Sequence, residues 1–212
     1  MSAVDQGRVG ELLGTDGAIQ PLRLTRKGGL AAADVQARYQ ESVLRGNVYF
    51  LSLSAGAPTA FIEAAGGTPL LGIYNPVGSG KALVLLVCSG AETTVPSAAG
   101  VIDYEMWAGV SVLPTGTVTT PTNMASQQAT GSAAKGFVNT AMTGSTALNL
   151  VTPVNGVYWA TAAGSNLVGT GLVDLAGMIV ATPGVLVAFG SRTALTSTVT
   201  DAFLMWEEVP YP

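Results

Sequence analysis

Residues 183–212 read PGVLVAFGSRTALTSTVTDAFLMWEEVPYP. Two apolar runs, 185–189 and 202–206, are rich in β-favouring residues and flank a Ser/Thr/Gly segment with little charge. This pattern predicts a strand, an exposed connection and a closing strand. The closing strand runs into Trp206-Glu207-Glu208-Val209-Pro210. Pro210 has no N–H to give to a sheet ladder, so the strand should stop there. A chain that ends on an apolar strand needs that strand to complete its fold.

Upstream, the same pattern runs back to Asn47. Strands are predicted at 48–53, 68–74, 82–88, 137–142, 157–160 and 172–180. Residues 101–113 alternate well enough for one long strand, or two with a kink at Gly109. Gly, Ser, Thr, Pro and Asn clusters separate these runs. The run 82–88, ALVLLVC, is apolar throughout and suits a strand buried on both faces. Short strands joined by turns, with no second helix and no internal repeat, predict an all-β fold. The specific expectation is a jelly-roll-like β-sandwich, which hides most of its edges by stacking two sheets.

The charges divide the chain. Six basic and five acidic side chains lie in the first 45 residues; three basic and eight acidic ones are spread over the rest. The first segment therefore nets +1 and the remainder −5. This predicts a polar N-terminal arm over 1–45 and a β-sandwich body over 46–212. In the arm, PLRLTR at 21–26 alternates like a short strand, and Gly28-Gly29 breaks it. Residues 31–44, AAADVQARYQESVL, predict the one short helix. Val35, Tyr39, Val43 and Leu44 form its apolar stripe, and Gly46-Asn47 is its stop signal. Such an arm either caps its own body or reaches a neighbour; Arg23, Arg26, Lys27, Arg38 and Arg45 are the candidate contact residues.

Composition narrows the function. At 212 residues the chain fits one domain with a modest appendage. Apolar residues make up 48%, enough for a sizeable core, but charged residues only 10%, against an ordinary ~25%. The surface must be built from small neutral residues or be covered by partner chains. The apolar run 82–88 is far too short to span a bilayer, so no membrane partner is expected. The first fourteen residues lack an apolar h-region, so no secretory leader is expected. A single cysteine, Cys88, excludes a disulfide framework within the chain and a Cys-based metal site.

Several stretches invite a chemical reading. Asn75-Pro-Val-Gly-Ser-Gly-Lys-Ala82 resembles a phosphate-binding loop, but Asn75 stands where Gly belongs and Ala82 where Ser/Thr belongs. A strand follows it rather than the helix whose amides would hold phosphate. A tight loop between strands, with Lys81 at its tip, is the expectation. Asp103 and Glu105 share one face of a strand, as a glycosidase pair would, yet an outward polar face explains them. Glu207 and Glu208 are adjacent and face opposite sides. The chain has no histidine, which removes the commonest general base and metal ligand. Neither catalytic, cofactor-binding nor metal-ligating residues are assigned. With three basic residues after position 45, no nucleic-acid track is expected. Trp107, Trp159 and Trp206 are candidates for a subunit interface or for stacking on a glycan.

Three stretches together resemble a group of small virion proteins of tailed bacteriophages. They are ARYQESVLRGNVYFLS, a helix leading to a Gly-Asn-Val strand start; IYNPVGSGKALVLL, a turn entering an apolar strand; and the ending MWEEVP. The resemblance spans roughly residues 37–210. It implies a non-enzymatic structural part of the particle, assembled in the bacterial cytoplasm. The implied subunit is a β-sandwich that forms a homotrimer. A capsid decoration (cement) protein is expected first, with the major capsid protein and copies of itself as partners. A head-fibre or tail component with a host-surface or glycan-binding role is the alternative. An enzyme would instead lose turnover in Asp103→Asn or Glu105→Gln. The resemblance carries no catalytic residues.

Overall fold

The computed structural model describes residues 6–8, 19–21, 39–56, 68–94, 100–102, 104–143, 148–153, 158–160, 170–191 and 199–212. The chain divides into two compact units, Met1–Gln40 and Glu41–Pro212. In the first, β1 (Gln6–Arg8) pairs antiparallel with β2 (Ile19–Pro21). The predicted strand at 21–26 overlaps β2 at Pro21 and otherwise lies outside the described residues.

The helix is shorter than its apolar stripe suggested. Helix α1 spans Gln40–Leu44, and Tyr39 just before it has φ +68°. A left-handed residue cannot continue a right-handed helix, so no single helix runs through 31–44. Residues 31–38 lie outside the described residues. The predicted stop holds: Gly46 has φ +73°, its N–H donates to the Val43 carbonyl, and Asn47 N–H donates to the Ser42 carbonyl. This pair of bonds is a glycine-type helix cap.

The second unit is built on two antiparallel sheets. One contains β3 (Val48–Gly56), β5 (Lys81–Glu92), β9 (Thr122–Asn123), β13 (Thr170–Asp174) and β16 (Thr200–Pro210), in the order β13-β5-β16-β3-β9. The short β14 (Val180–Ala181) also pairs with β5. The other contains β4 (Leu71–Tyr74), β7 (Tyr104–Val110), β8 (Val118–Thr119), β10 (Lys135–Val138), β11 (Asn149–Pro153) and β15 (Val185–Ser191), in the order β11-β7-β15-β4-β10-β8. The two-stranded pair of β6 (Gly100–Ile102) and β12 (Tyr158–Ala160) accompanies β7 and β11.

The closing strand does complete the fold. β16 is an interior strand, registered from Thr200↔Glu92 to Pro210↔Lys81 on β5 and from Thr200↔Gly56 to Glu207↔Val48 on β3. Pro210 lies beyond the last residue paired to β3, where its missing N–H removes no bond from that ladder.

The two sheets share one core. Leu51, Leu83, Leu85, Leu204 and Trp206 from the first sheet pack with Ile73, Tyr104, Met106, Val187 and Phe189 from the second. The fold is therefore an all-β sandwich. The Tyr104 and Phe189 rings stack with centroids 5.7 Å apart. Gly90 lets the sheets meet at this point, because a Cβ there would fall 2.9 Å from the Tyr104 ring. Each large side chain buried here contributes roughly 1.5–3 kcal/mol.

Residues 111–148, between β7 and β11, decorate the sandwich. They add β10 and β8 to one edge of the second sheet and β9 to one edge of the first. They then roof the second sheet. Met142 and Leu148 join Tyr74, Trp107, Phe137, Leu186 and Ala188 in a separate buried cluster. These strand residues alternate with the core-facing ones, so the cluster lies on the sheet's outer side. Gly72 is its seat: a Cβ there would stand 2.9 Å from the Met142 sulfur.

Three local expectations change. Gly109 lies inside β7, and the strand break falls between Ile102 and Tyr104. The predicted strand 172–180 is two strands, because Ala176 (φ +49°) and Gly177 (φ +78°) turn the chain between them. The strand β11 was not foreseen.

Candidate functional site

The surface most suited to a partner is the outer face of the first sheet. Along β16, Leu204 and Trp206 enter the core, so Phe203 and Met205 point the other way. Met205 is registered with Val87 and Phe50, which puts these three on the same outer face. The Phe50 and Phe203 rings lie 5.6 Å apart there. On β13, Val173 packs on the core and Leu172 faces outward, 74% exposed. On β14, Ala181 is in the core and Val180, registered with Val84, faces outward. An apolar band thus crosses the sheet, exposed at Leu172 and Val180, buried at Val87 and Met205, and half-buried at Phe203 and Phe50.

The charges on this face are Asp174, Asp201 and Glu207, all acidic. Their positions follow from register: Asp174 opposes Val87, Asp201 opposes Ala91 and Glu207 opposes Val84. No Lys or Arg shares the face among the described residues. The second sheet has its outer side covered by the chain's own Met142 and Leu148.

The structure sends the sequence-predicted residues to different places. Arg23, Arg26, Lys27 and Arg38 lie outside the described residues. Arg45 is exposed and forms an ion pair with Glu41 one helical turn back, at 2.6 Å. Trp107 (2% exposed) is in the roofed cluster and Trp206 (0%) is in the main core. Neither presents an indole face to a sugar or to a partner. Trp159 is registered with Val101 in the β6–β12 pair, and its side chain lies outside the described residues.

The motifs that invited chemistry are joints. Asn75 is fully buried at the corner where the chain leaves the second sheet for the first. Its Nδ2 donates to the carbonyls of Lys81 (2.8 Å) and Ala181 (2.9 Å). Its backbone N–H donates to Val185 O at 2.9 Å, and its carbonyl accepts from Gly184 N at 2.7 Å. Lys81 is the first residue of β5, registered with Pro210, while exposed Val77 and Gly78 form the loop tip. Asp103 lies outside the described residues, and Glu105 is buried rather than part of an outward polar face.

Glu207 and Glu208 do face opposite sides. Glu208 is 4% exposed; its carboxylate accepts from Ser132 Oγ at 2.6 Å and from Ala133 N at 3.0 and 3.1 Å. It ties the 111–148 segment to the closing strand. Among the described residues, no group of three or more Cys, Asp or Glu side chains could hold a metal ion. No helix among them is long and apolar enough to cross a membrane.

No family model matches the chain, and no curated protein or solved structure matches it either.

Proposed function

We propose that the chain is a non-enzymatic structural subunit of a tailed-bacteriophage particle. In this reading it is a jelly-roll decoration (cement) protein that binds the outside of the head as a homotrimer. The observation that carries the reading is the asymmetry of the sandwich. One sheet is roofed by Met142 and Leu148, whereas the outer face of the other exposes Leu172 and Val180 at its β13/β14 edge, with only acidic charges on that face among the described residues. A charge-poor chain with such a face suits a subunit whose surface is shared with partners.

Strand order supports the jelly-roll part. Number the eight main strands one to eight in chain order: β3, β4, β5, β7, β11, β13, β15 and β16. The sheets then read 6-3-8-1 and 5-4-7-2. One pairs with eight, two with seven, three with six and four with five, as in a long hairpin rolled into two stacked sheets. The phage-like stretches also agree with a structural role. Gly46-Asn47-Val48 caps α1 and opens β3, the Asn75 turn joins the sheets, and Trp206 and Glu208 lock the closing strand.

Decoration by this mechanism is mechanical. A trimer across joints between major capsid proteins multiplies modest contacts and resists internal pressure by multivalency. The test is co-sedimentation of the purified full chain with phage heads that lack it. Saturable binding, followed by DNA retention to a higher temperature, is expected. A folded chain that stays in the supernatant would overturn decoration.

A further inference from the structure

The open edge of the first sheet supports an inference that goes beyond head binding and does not rest on it. Of the four outer edges of the two sheets, three are blunted. β8 and β9 are two residues long. β11 carries a register shift between Leu150 and Thr152 and ends on Pro153. β13, TGLVD, pairs regularly with β5 over its whole length and has no lysine, proline or bulge.

The backbone of β13 has one side to spare. Just past it, Leu175 N–H donates to the Leu86 carbonyl of β5 at 2.7 Å. Antiparallel pairs alternate, so Val173 and Gly171 also turn their N–H and C=O groups to β5. Leu172 turns its own to the other side, where no described strand pairs with it. Its side chain is 74% exposed. On the opposite flank β10 lies against β3, so β11 shares this flank with β13, and its Leu150 and Val151 are exposed too.

The strand is complementary to itself. Set antiparallel to a second β13 about an axis through Leu172, it puts Leu172 opposite Leu172, Gly171 opposite Val173 and Thr170 opposite Asp174. The Leu172 pair then exchanges both backbone hydrogen bonds, and its side chains meet on the outer face. The two Asp174 residues stand about 13 Å apart along the strand, beyond the screening length of about 8 Å. Each keeps its bond from Ala176 N at 2.9 Å.

We propose that β13 pairs edge to edge with β13 of a second copy, joining the two first sheets across a two-fold axis. A two-fold contact cannot close a trimer, so in the proposed particle it joins neighbouring trimers. One short strand pair is marginal alone, so it forms between copies that are concentrated or already held close.

Disulfide trapping of the concentrated, purified full-length chain tests this. A hydrogen-bonded antiparallel pair sets its Cα atoms about 5.5 Å apart, within disulfide range. Under mild oxidant, Leu172→Cys should form a covalent dimer roughly ten-fold faster than Val77→Cys. Val77 is 79% exposed and gauges chance collision. A mixture of Thr170→Cys and Asp174→Cys chains should also exceed that background, whereas Asp174→Cys alone should not. Cys88 is fully buried, so it does not compete in the folded protein. Equal rates for Leu172→Cys and Val77→Cys, both folded by circular dichroism, would overturn the proposal. So would Asp174→Cys linking to itself as fast as to Thr170→Cys, since the register forbids it. No phage heads enter the experiment, so failure to pair and failure to bind heads are told apart.

Discussion

Glu208 is the clearest single-residue test of how the sandwich is held. A buried carboxylate that accepts from Ser132 Oγ and Ala133 N leaves two donors stranded when it is removed. Charge-assisted bonds of this kind contribute about 1.5–3 kcal/mol. Glu208→Ala should therefore lower the unfolding free energy measured by urea titration by an amount in that range. Glu208→Gln, which keeps one acceptor, should lose less. A second prediction concerns Cys88, fully buried in β5, where burial pushes the thiol from 9.0 up to about 12. The unfolded chain gives up this proton first as pH rises. The thiol's contribution to stability is thus whole below about pH 9 and declines between there and about pH 12. Thermal melts at pH 8 and pH 10.5 should show a larger drop for the natural chain than for Cys88→Ala. Adjacent glutamates were legible as facing opposite sides, because strand alternation dictates it. The depth of Glu208 was not, since its cover comes from Ser132 and Ala133, far away in sequence.

Among elements, the roof over the second sheet makes the sharpest prediction. Met142 is buried against Gly72, Phe137 and the rest of the outer cluster. Met142→Ala should cost about 2–5 kcal/mol, the range for emptying a buried methionine site. Leu172→Ser, on the open face of the other sheet, should change the stability of an isolated subunit by less than about 0.5 kcal/mol. Differential scanning calorimetry on both variants gives the comparison. The strands with strong apolar runs were legible: β3, β5, β15 and β16 all contain the stretches that predicted them. β11 was hidden because Asn149 and Pro153 read as turn residues, and pairing with β7 overrides that local signal. The helix over 31–44 was overread for the opposite reason. Its apolar stripe is real in the sequence, but Tyr39 turns left-handed and α1 starts only at Gln40. The burial of Trp107 was not legible, because Met142 and Leu148 roof it from beyond β10.

At the scale of the whole molecule, Glu41–Pro212 has its own core and both sheets. A chain lacking residues 1–40 should therefore unfold in a single cooperative transition, like the intact chain, by circular dichroism. If the arm links copies, the same deletion should convert a trimer to a monomer by light scattering. The central claim is the place of the protein on a phage particle. Antibody-gold labelling of intact particles, viewed by negative-stain electron microscopy, tests it most directly. Dense label over the head is the predicted result. Label confined to the tail or fibres would contradict decoration, and absence of label from both intact and disrupted particles would contradict the virion reading altogether.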